Sequence, residues 1–376
     1  MAKKDKDPKE PKISKVATSD LTTAERARRA QSFVEGVEKK SPGSVIDMNE
    51  APEFISTGIA ALDRAIGTGG TARGHNIEIY GDEGTGKSSL AMILATAFQD
   101  RGESTLWIDM EQRFWGAFAL MLGVRPELFK VVRPSTGTEA LQIVEEAVDT
   151  QAFSLIVVDS VAALVTDEEA AGDIGDVHMA PQGRLMSTSL RKIAPKSMKY
   201  GVTIVWVNQM RSNMARMGKT ENTAGGRALK FWSSLRLELK KGESILRSTK
   251  RIGHRIKVKV EKNSWAPPYG TCSYDFRYDT GLDYIGSVIE TARAIKIITL
   301  RGSAFDIPTP DGLITVSGLV KLDEMIRQNP NIFKHISELV RTSDVEIPDE
   351  EESAVPTMPV IPMAPTIPQV PVIAQG

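Results

Sequence analysis

The sequence predicts an α/β fold: a mostly parallel sheet with helices on its faces, an N-terminal helix, and a small C-terminal α+β lobe. Three observations carry this. Between about residues 54 and 270, apolar runs of strand length alternate with segments of helical periodicity, the pattern of a sheet covered on both faces. GDEGTGKS, from Gly81 to Ser88, stands between a strand-like run and a helical one and has the form G-x-x-x-x-G-K-[ST]. From 280 to 342 the pattern changes to helix, short strand and helix, which marks a separate lobe.

Residues 1–18 alternate Lys with Asp, Glu and Pro, offer almost nothing to bury, and read as a disordered tail. Residues 19–50 hold a helix and a linker. Ser19, Asp20 or Thr22 caps the helix; Ala27, Ala30, Val34 and Val37 recur at three- and four-residue steps; SPG (41–43) ends it. That face packs on its own domain or on a neighbouring subunit, and periodicity alone favours the first. In the core, 51–278, strand-like runs occupy 76–80, 105–110, 154–160, 203–209, 234–241 and 254–263, with helical patterns at 87–100, 114–122, 137–150 and 180–200. The last two runs have little helix between them and read as strands added at one end of the sheet. GTGGTARG (67–74) lacks a preceding strand and reads as a turn. The lobe, 279–342, leads into 343–376, which holds the acidic run DVEIPDEEES and then Pro356, Pro359, Pro362, Pro365, Pro368 and Pro371. A proline at every third residue matches the turn of polyproline II, and this segment reads as a solvated, disordered tail.

Composition bounds the function. With 41% hydrophobic and 25% charged residues, the chain of 376 residues is an ordinary globular one, long enough for a large domain and a smaller one. Its formal net charge of −1 confines any nucleic-acid site to a local basic surface. No run approaches the roughly 18 apolar residues of a membrane helix. The start, MAKKDKDPKEPKISK, has no apolar core and is not a secretory signal. Cys272, the single cysteine, excludes an internal disulfide and a cysteine zinc site, and reads as an inert packing residue. Together these features predict a cytoplasmic protein.

The chemistry gathers at strand ends. Gly81, Asp82, Glu83, Gly84, Thr85, Gly86, Lys87, Ser88 and Ser89 form the candidate nucleotide loop. Its glycines let backbone N–H groups turn inward, and the following helix N-terminus favours an anion. Lys87 would reach the β- and γ-phosphates of a bound nucleotide, and the Ser88 hydroxyl would hold Mg²⁺. Asp159 ends the apolar run LIVVD, where it positions Mg²⁺ and its waters. Glu111 follows another strand and is the candidate base that orients and deprotonates an attacking water, with Asp109 as runner-up. Gln209, on a fourth, either senses the γ-phosphate or is a structural amide.

Strands leading to a phosphate loop, Glu, Asp and Gln, in that chain order, resemble the bacterial RecA recombinase family. The similarity extends to FISTGIAALDRAIGTGG, WIDMEQ, GDIGDVHMAPQGRLMSTSLRKI, WVNQMR, TAGGRALKFWSSLRLEL and KNSWAPP, and covers roughly 20–340. It implies a RecA-type P-loop ATPase core, with the N-terminal helix serving polymerisation. It also implies an ATPase that forms a helical homo-oligomeric filament on single-stranded DNA, pairs it with homologous duplex DNA and exchanges strands. By the same resemblance Lys87, Ser88, Asp159 and Glu111 serve ATP and Mg²⁺, Gln209 links the γ-phosphate to DNA loops, and Phe118 stacks on adenine. A first DNA loop lies at 171–185 and a second at 211–226. Around them Met179, Arg184, Arg191, Arg211, Met214, Gly225, Gly226 and Arg227 are the DNA-binding candidates, the methionines separating stacked bases and the arginines meeting phosphates. Lys262 matches a lysine that reaches the neighbouring subunit's ATP. There are departures: Ser264 replaces a second such lysine, so hydrolysis is slower or Lys257 or Lys259 compensates, and Trp115 stands where the family has Asp near adenine. The nucleotide residues alone also suit a ring helicase or another motor of this fold, a structural single-strand-binding filament, or a small-molecule kinase. The loop segments disfavour the motor, Ser264 keeps the structural filament open, and no acceptor-binding lid supports the kinase.

Overall fold

The computed structural model describes residues 21–41, 45, 51–165, 181–212 and 221–343. The two tails, and the centres of both expected DNA loops, lie outside these residues.

Helix α1 (Thr23–Lys40) starts at Thr22, one of three candidate caps. Its hydroxyl accepts the Glu25 N–H at 3.3 Å, and the Glu25 carboxylate accepts the Thr22 N–H at 2.9 Å. This reciprocal pair satisfies donors that a helix start otherwise leaves open. None of the residues of α1 is buried, and Phe33 is 72% exposed.

Strand β1 (Phe54–Ile55) pairs antiparallel with β2 (Thr71–Ala72), and α2 (Ala60–Ile66) lies between them. The segment expected to be only a turn therefore also holds a short strand. The pairing partner, two residues long, is too short to carry a visible alternation. The main sheet follows with β3 (Asn76–Gly81), α3 (Lys87–Gln99), β4 (Thr105–Asp109), α4 (Gly116–Met121), β5 (Phe129–Val132), α5 (Gly137–Thr150) and β6 (Leu155–Asp159). After these come α6 (Pro181–Tyr200), β7 (Thr203–Ser212), β8 (Glu221–Thr223), α7 (Ala228–Trp232), β9 (Ser233–Arg247), β10 (Lys250–Asn263), β11 (Thr271–Arg277) and β12 (Gly281–Leu282). The sheet order is β12-β11-β10-β9-β3-β7-β6-β4-β5, with β8 pairing β7. Strands β9, β3, β7, β6, β4 and β5 run parallel, while β10, β11 and β12 extend the sheet antiparallel at one end.

The central strands are apolar on both sides because helices cover both. Trp107, Val157, Val205 and Val207 point to a core shared with Leu90, Leu94 and Phe98 of α3. Their chain neighbours Ile108, Ile156, Ile204 and Trp206 point to a second core with Val144 of α5 and Leu190 of α6. Period-two alternation between two buried faces reads in sequence as one continuous apolar run. Register then aligns the strand ends: Gly81 pairs with Gln209, Asp109 with Asp159, and Asp159 with Val207. Four chemistry-bearing positions thus meet at one carboxyl edge, where open α/β sheets bind ligands.

The sheet carries one buried ion pair at its centre. Glu78 on β3 accepts Arg236 Nε at 2.5 Å and Asn208 Nδ2 at 2.9 Å, which satisfies a carboxylate with no exposed surface. The C-terminal lobe comprises α8 (Tyr284–Ala294), the antiparallel sheet β13 (Thr299–Arg301), β14 (Ala304–Thr309) and β15 (Gly312–Ser317), then α9 (Leu319–Gln328) and α10 (Pro330–Thr342). Its core of Val288, Phe305, Ile307, Leu322, Ile326 and Ile336 also takes in Ala60 of α2, joining lobe to core.

Candidate nucleotide cleft and nucleic-acid segments

A cleft of about 280 Å³ opens at the carboxyl edge, lined by Gly86, Lys87, Ser88, Glu111, Asp159 and Gln209 among others. Its floor is the turn from β3 into α3. Gly86 there has φ 89°, a conformation that favours glycine, and a Cβ would meet Ile256 Cδ1 of β10 at 2.5 Å, so that side chain would have to shift. Thr85 Oγ1 donates to the Asp82 carbonyl at 2.9 Å, and Lys87 Nζ donates to the carbonyls of Gly81 (3.1 Å) and Asp82 (2.7 Å). Lys87 is 8% exposed. Burial pulls its ammonium below the usual range, opposed by the nearby Asp159 and Glu111 carboxylates. Asp82, Glu83 and Gly84 are exposed on the loop's outer turn, and Ser89 is buried beneath it.

Ser88 hydrogen-bonds Asp159. Burial pushes the Asp159 carboxyl up to about 6, the Ser88 bond and Lys87 pull it down, and Glu111 and Asp109 push it further up. A hydroxyl beside a carboxylate that is costly to ionise fits a hard divalent cation such as Mg²⁺. Among the described residues no group of three or more His, Cys, Asp or Glu forms a metal cage. Ser88 and Asp159 would therefore hold Mg²⁺ together with water and phosphate oxygens.

Glu111 sits two residues beyond β4, and one of its oxygens accepts both Ser160 Oγ (2.6 Å) and Gln209 Nε2 (3.0 Å). Its other oxygen lies 3.7 Å from Arg113 Nη1. Asp109, the alternative base, is instead buried and occupied: it accepts the N–H groups of Arg113 (3.1 Å) and Phe114 (3.0 Å) and pairs with Arg133 at 2.9 Å. Asp109 fixes the turn that carries Glu111. Gln209 does not end its strand, because β7 runs on to Ser212 and pairs with β8. Phe118 is half-buried, 6.3 Å from Phe276, with Trp115 parallel to it at 6.4 Å.

The expected DNA segments divide. Met179 and Met214 lie outside the described residues. The first expected loop ran to residue 185, but α6 begins at Pro181, so Arg184 stands on a helix rather than in a loop. Proline suits a first helical turn, whose N–H groups lack partners anyway. Arg184 and Arg191 are exposed on the same helix. Arg211 lies on β7, and Arg227 is exposed at the start of α7. Gly225 and Gly226 take φ 77° and 73°. A Cβ at Gly225 would lie 3.0 Å from Val161 and 3.3 Å from Met186 of α6, and Gln182 Nε2 donates to the Val161 carbonyl at 2.7 Å. The ends of both segments therefore pack together beside the cleft.

Lys262 does not line the cleft; its Nζ donates to the Lys230 (3.0 Å) and Phe231 (3.2 Å) carbonyls at the end of α7. Lys257 lies 3.7 Å from Glu243, and Lys259 pairs with Glu261 at 2.9 Å. Sequence reasoning missed Ser160, His254 and Phe276, which also line the cleft. Ser160 had a signal, being next to Asp159; His254 and Phe276 arrive only through the pairing of β10 with β11.

The RecA N-terminal domain family matches residues 31–283. Proteins named Protein RecA are similar along most of the chain. The one from Clostridium novyi is 37% identical over 323 residues, covering 84% of this chain and 91% of its own. The one from Ruminococcus albus is 34% identical over 346 residues, covering 90% and 86%. The Clostridioides difficile protein is 40% identical over 266 residues, 69% of this chain and 76% of its own. Matches of this extent, over a chain whose strand ends carry Lys87, Glu111, Asp159 and Gln209, establish that the protein belongs to the RecA family.

Proposed function

We propose that this chain is a DNA-dependent ATPase that assembles as a helical filament on single-stranded DNA, pairs it with a homologous duplex and exchanges strands. The reading rests on one observation above others: a hydrogen-bonded connection from the cleft to the end of the second DNA segment. Gln209 bonds Glu111 through its side chain, and its carbonyl accepts the Ala224 N–H at 3.4 Å. Asn208, next to it, donates to the Ala224 carbonyl at 3.0 Å. A γ-phosphate that competes for Gln209 or Glu111 thus acts directly on the base of a DNA-binding element.

In this reading Glu111 accepts a proton from an attacking water, Lys87 meets the phosphates, and Ser88 with Asp159 holds Mg²⁺, which supplies charge neutralisation when bound. Arg184, Arg191 and Arg227 offer phosphate contacts beside the paired segment ends, with Gly225 and Gly226 allowing close backbone approach. Helix α1, with no residue buried in its own chain, packs on the next protomer, and Lys262 reaches across such a contact. The protein works in the cytoplasm, where its DNA substrates lie. The decisive experiment is joint-molecule formation between a circular single strand and homologous linear duplex with Mg²⁺ and ATP. Products that need homology and ATP support this function. Binding to DNA without pairing would reduce it to a structural filament.

A further inference from the structure

The wall beside the phosphate loop holds a group that no phosphate contact uses. Strands β9 and β10 run past the edge where β3 ends: Gly81 pairs with Leu239, and β9 continues to Arg247. On β10, Ile256 rests against Gly86 of the loop. His254 is two residues on, so it shares that face and stands about 7 Å farther out, past the phosphate end of the cleft. It pairs with Phe276 on β11, with ring centroids 6.2 Å apart, and Tyr278 lies 5.7 Å away. From Phe276 the rings continue to Phe118, 6.3 Å away, and then to Trp115.

His254 lines the cleft at 5% exposure. Its Nδ1 lies 3.3 Å from the Tyr278 hydroxyl, while its buried Nε2 has no hydrogen-bond partner among the described residues. Burial, with Lys241 and Arg251 nearby, favours the neutral imidazole. An unpartnered imidazole nitrogen at the wall of the cleft, beside the Phe276 ring that also lines it, suits a planar, hydrogen-bonding ligand part, and a nucleoside has that chemistry.

We propose that His254 is a specificity-determining residue of the cleft, its Nε2 hydrogen-bonding the nucleoside end of the bound nucleoside triphosphate. This rests on the nucleotide reading of the cleft, and one titration series separates the two. Calorimetry with Mg²⁺ compares ATP with inorganic tripolyphosphate, which carries the phosphates and no nucleoside, on the full chain. His254→Ala weakens ATP about tenfold, one hydrogen bond's worth, and leaves tripolyphosphate unchanged. His254→Gln, which restores a polar group at that position, recovers part of the loss. Lys87→Ala loses both ligands. Unchanged ATP affinity in His254→Ala overturns the proposal, as does an equal loss for both ligands, which would mark a purely structural wall. A wild-type chain that binds neither ligand overturns the nucleotide reading itself.

Discussion

Glu111 takes two hydrogen bonds on one oxygen and keeps the other toward Arg113. An amide in its place can still meet Ser160 and Gln209 but cannot accept a proton. Glu111→Gln is expected to lower DNA-dependent phosphate release by about 10²-fold or more, with ATP affinity little changed. Turnover close to wild type would move the base elsewhere. Asp159 carries the opposite kind of burden. Its carboxyl is raised to about 6 from an unfolded value near 3.8, so the folded state binds the extra proton between those values. Stability without nucleotide therefore falls as pH rises through that window, and the charge costs on the order of 3 kcal/mol above it. Asp159→Asn is expected to raise the thermal midpoint at pH 8, to lose that advantage as pH falls from 6 to 4, and to bind Mg–ATP poorly. A midpoint gain that ignores pH would refute the burial argument. The residues whose place in the cleft was readable in the sequence are those tied to a strand end or a loop motif. Ser160 and His254 were not, since a serine or histidine has no fixed spacing until the sheet brings it to a neighbour.

At the scale of elements, the runs at 105–110, 154–160 and 203–209 were legible because both faces are buried and read as nearly continuous apolar stretches, and those at 76–80, 234–241 and 254–263 because apolar residues recur at every second position. Strand β5 was not. Only Phe129 of its four residues is buried, so the edge strand lacks an apolar run. The end of β7 was also misplaced, because its extension is held by pairing with β8 and not by its own composition. Helix α1 was legible in its capping signal and periodicity, and no residue of it is buried among the described residues. Phe33 and Val34 are exposed on it. Phe33→Asp is expected to leave the chain's unfolding midpoint and ATP affinity unchanged while filament length, seen by electron microscopy on single-stranded DNA, collapses. Burying that ring in an assembly is worth roughly 2 kcal/mol per contact, enough to shift assembly well over tenfold in concentration. Filaments of wild-type length in Phe33→Asp would remove α1 from the interface.

For the whole molecule, the property that matters most to the proposed function is how the cleft is joined to the expected DNA segments, and no composition or spacing reveals it. The register does: Gly81, where the phosphate loop begins, pairs with Gln209, and Met210 and Arg211 beyond it pair with Thr223 and Asn222 of β8. One strand thus carries a cleft residue at one position and holds the edge of the second expected DNA segment at the next. The buried Glu78–Arg236–Asn208 cluster ties β3, β9 and β7 together beside Gln209. Coupling between two ligands is reciprocal and typically spans about 5- to 150-fold in affinity. The wild-type chain is therefore expected to hold a fluorescent oligonucleotide more tightly with a non-hydrolysable ATP analogue than with ADP, by a ratio in that range. Gln209→Ala removes the side-chain bond to Glu111 while leaving the β7–β8 backbone pairing in place. It is expected to keep ATP affinity, measured without DNA, and to bring the analogue-to-ADP ratio for oligonucleotide binding close to one. If that ratio survives in Gln209→Ala, the signal travels by another route, and the segment ends packed at Val161, Met186 and Gly225 become the next place to break it.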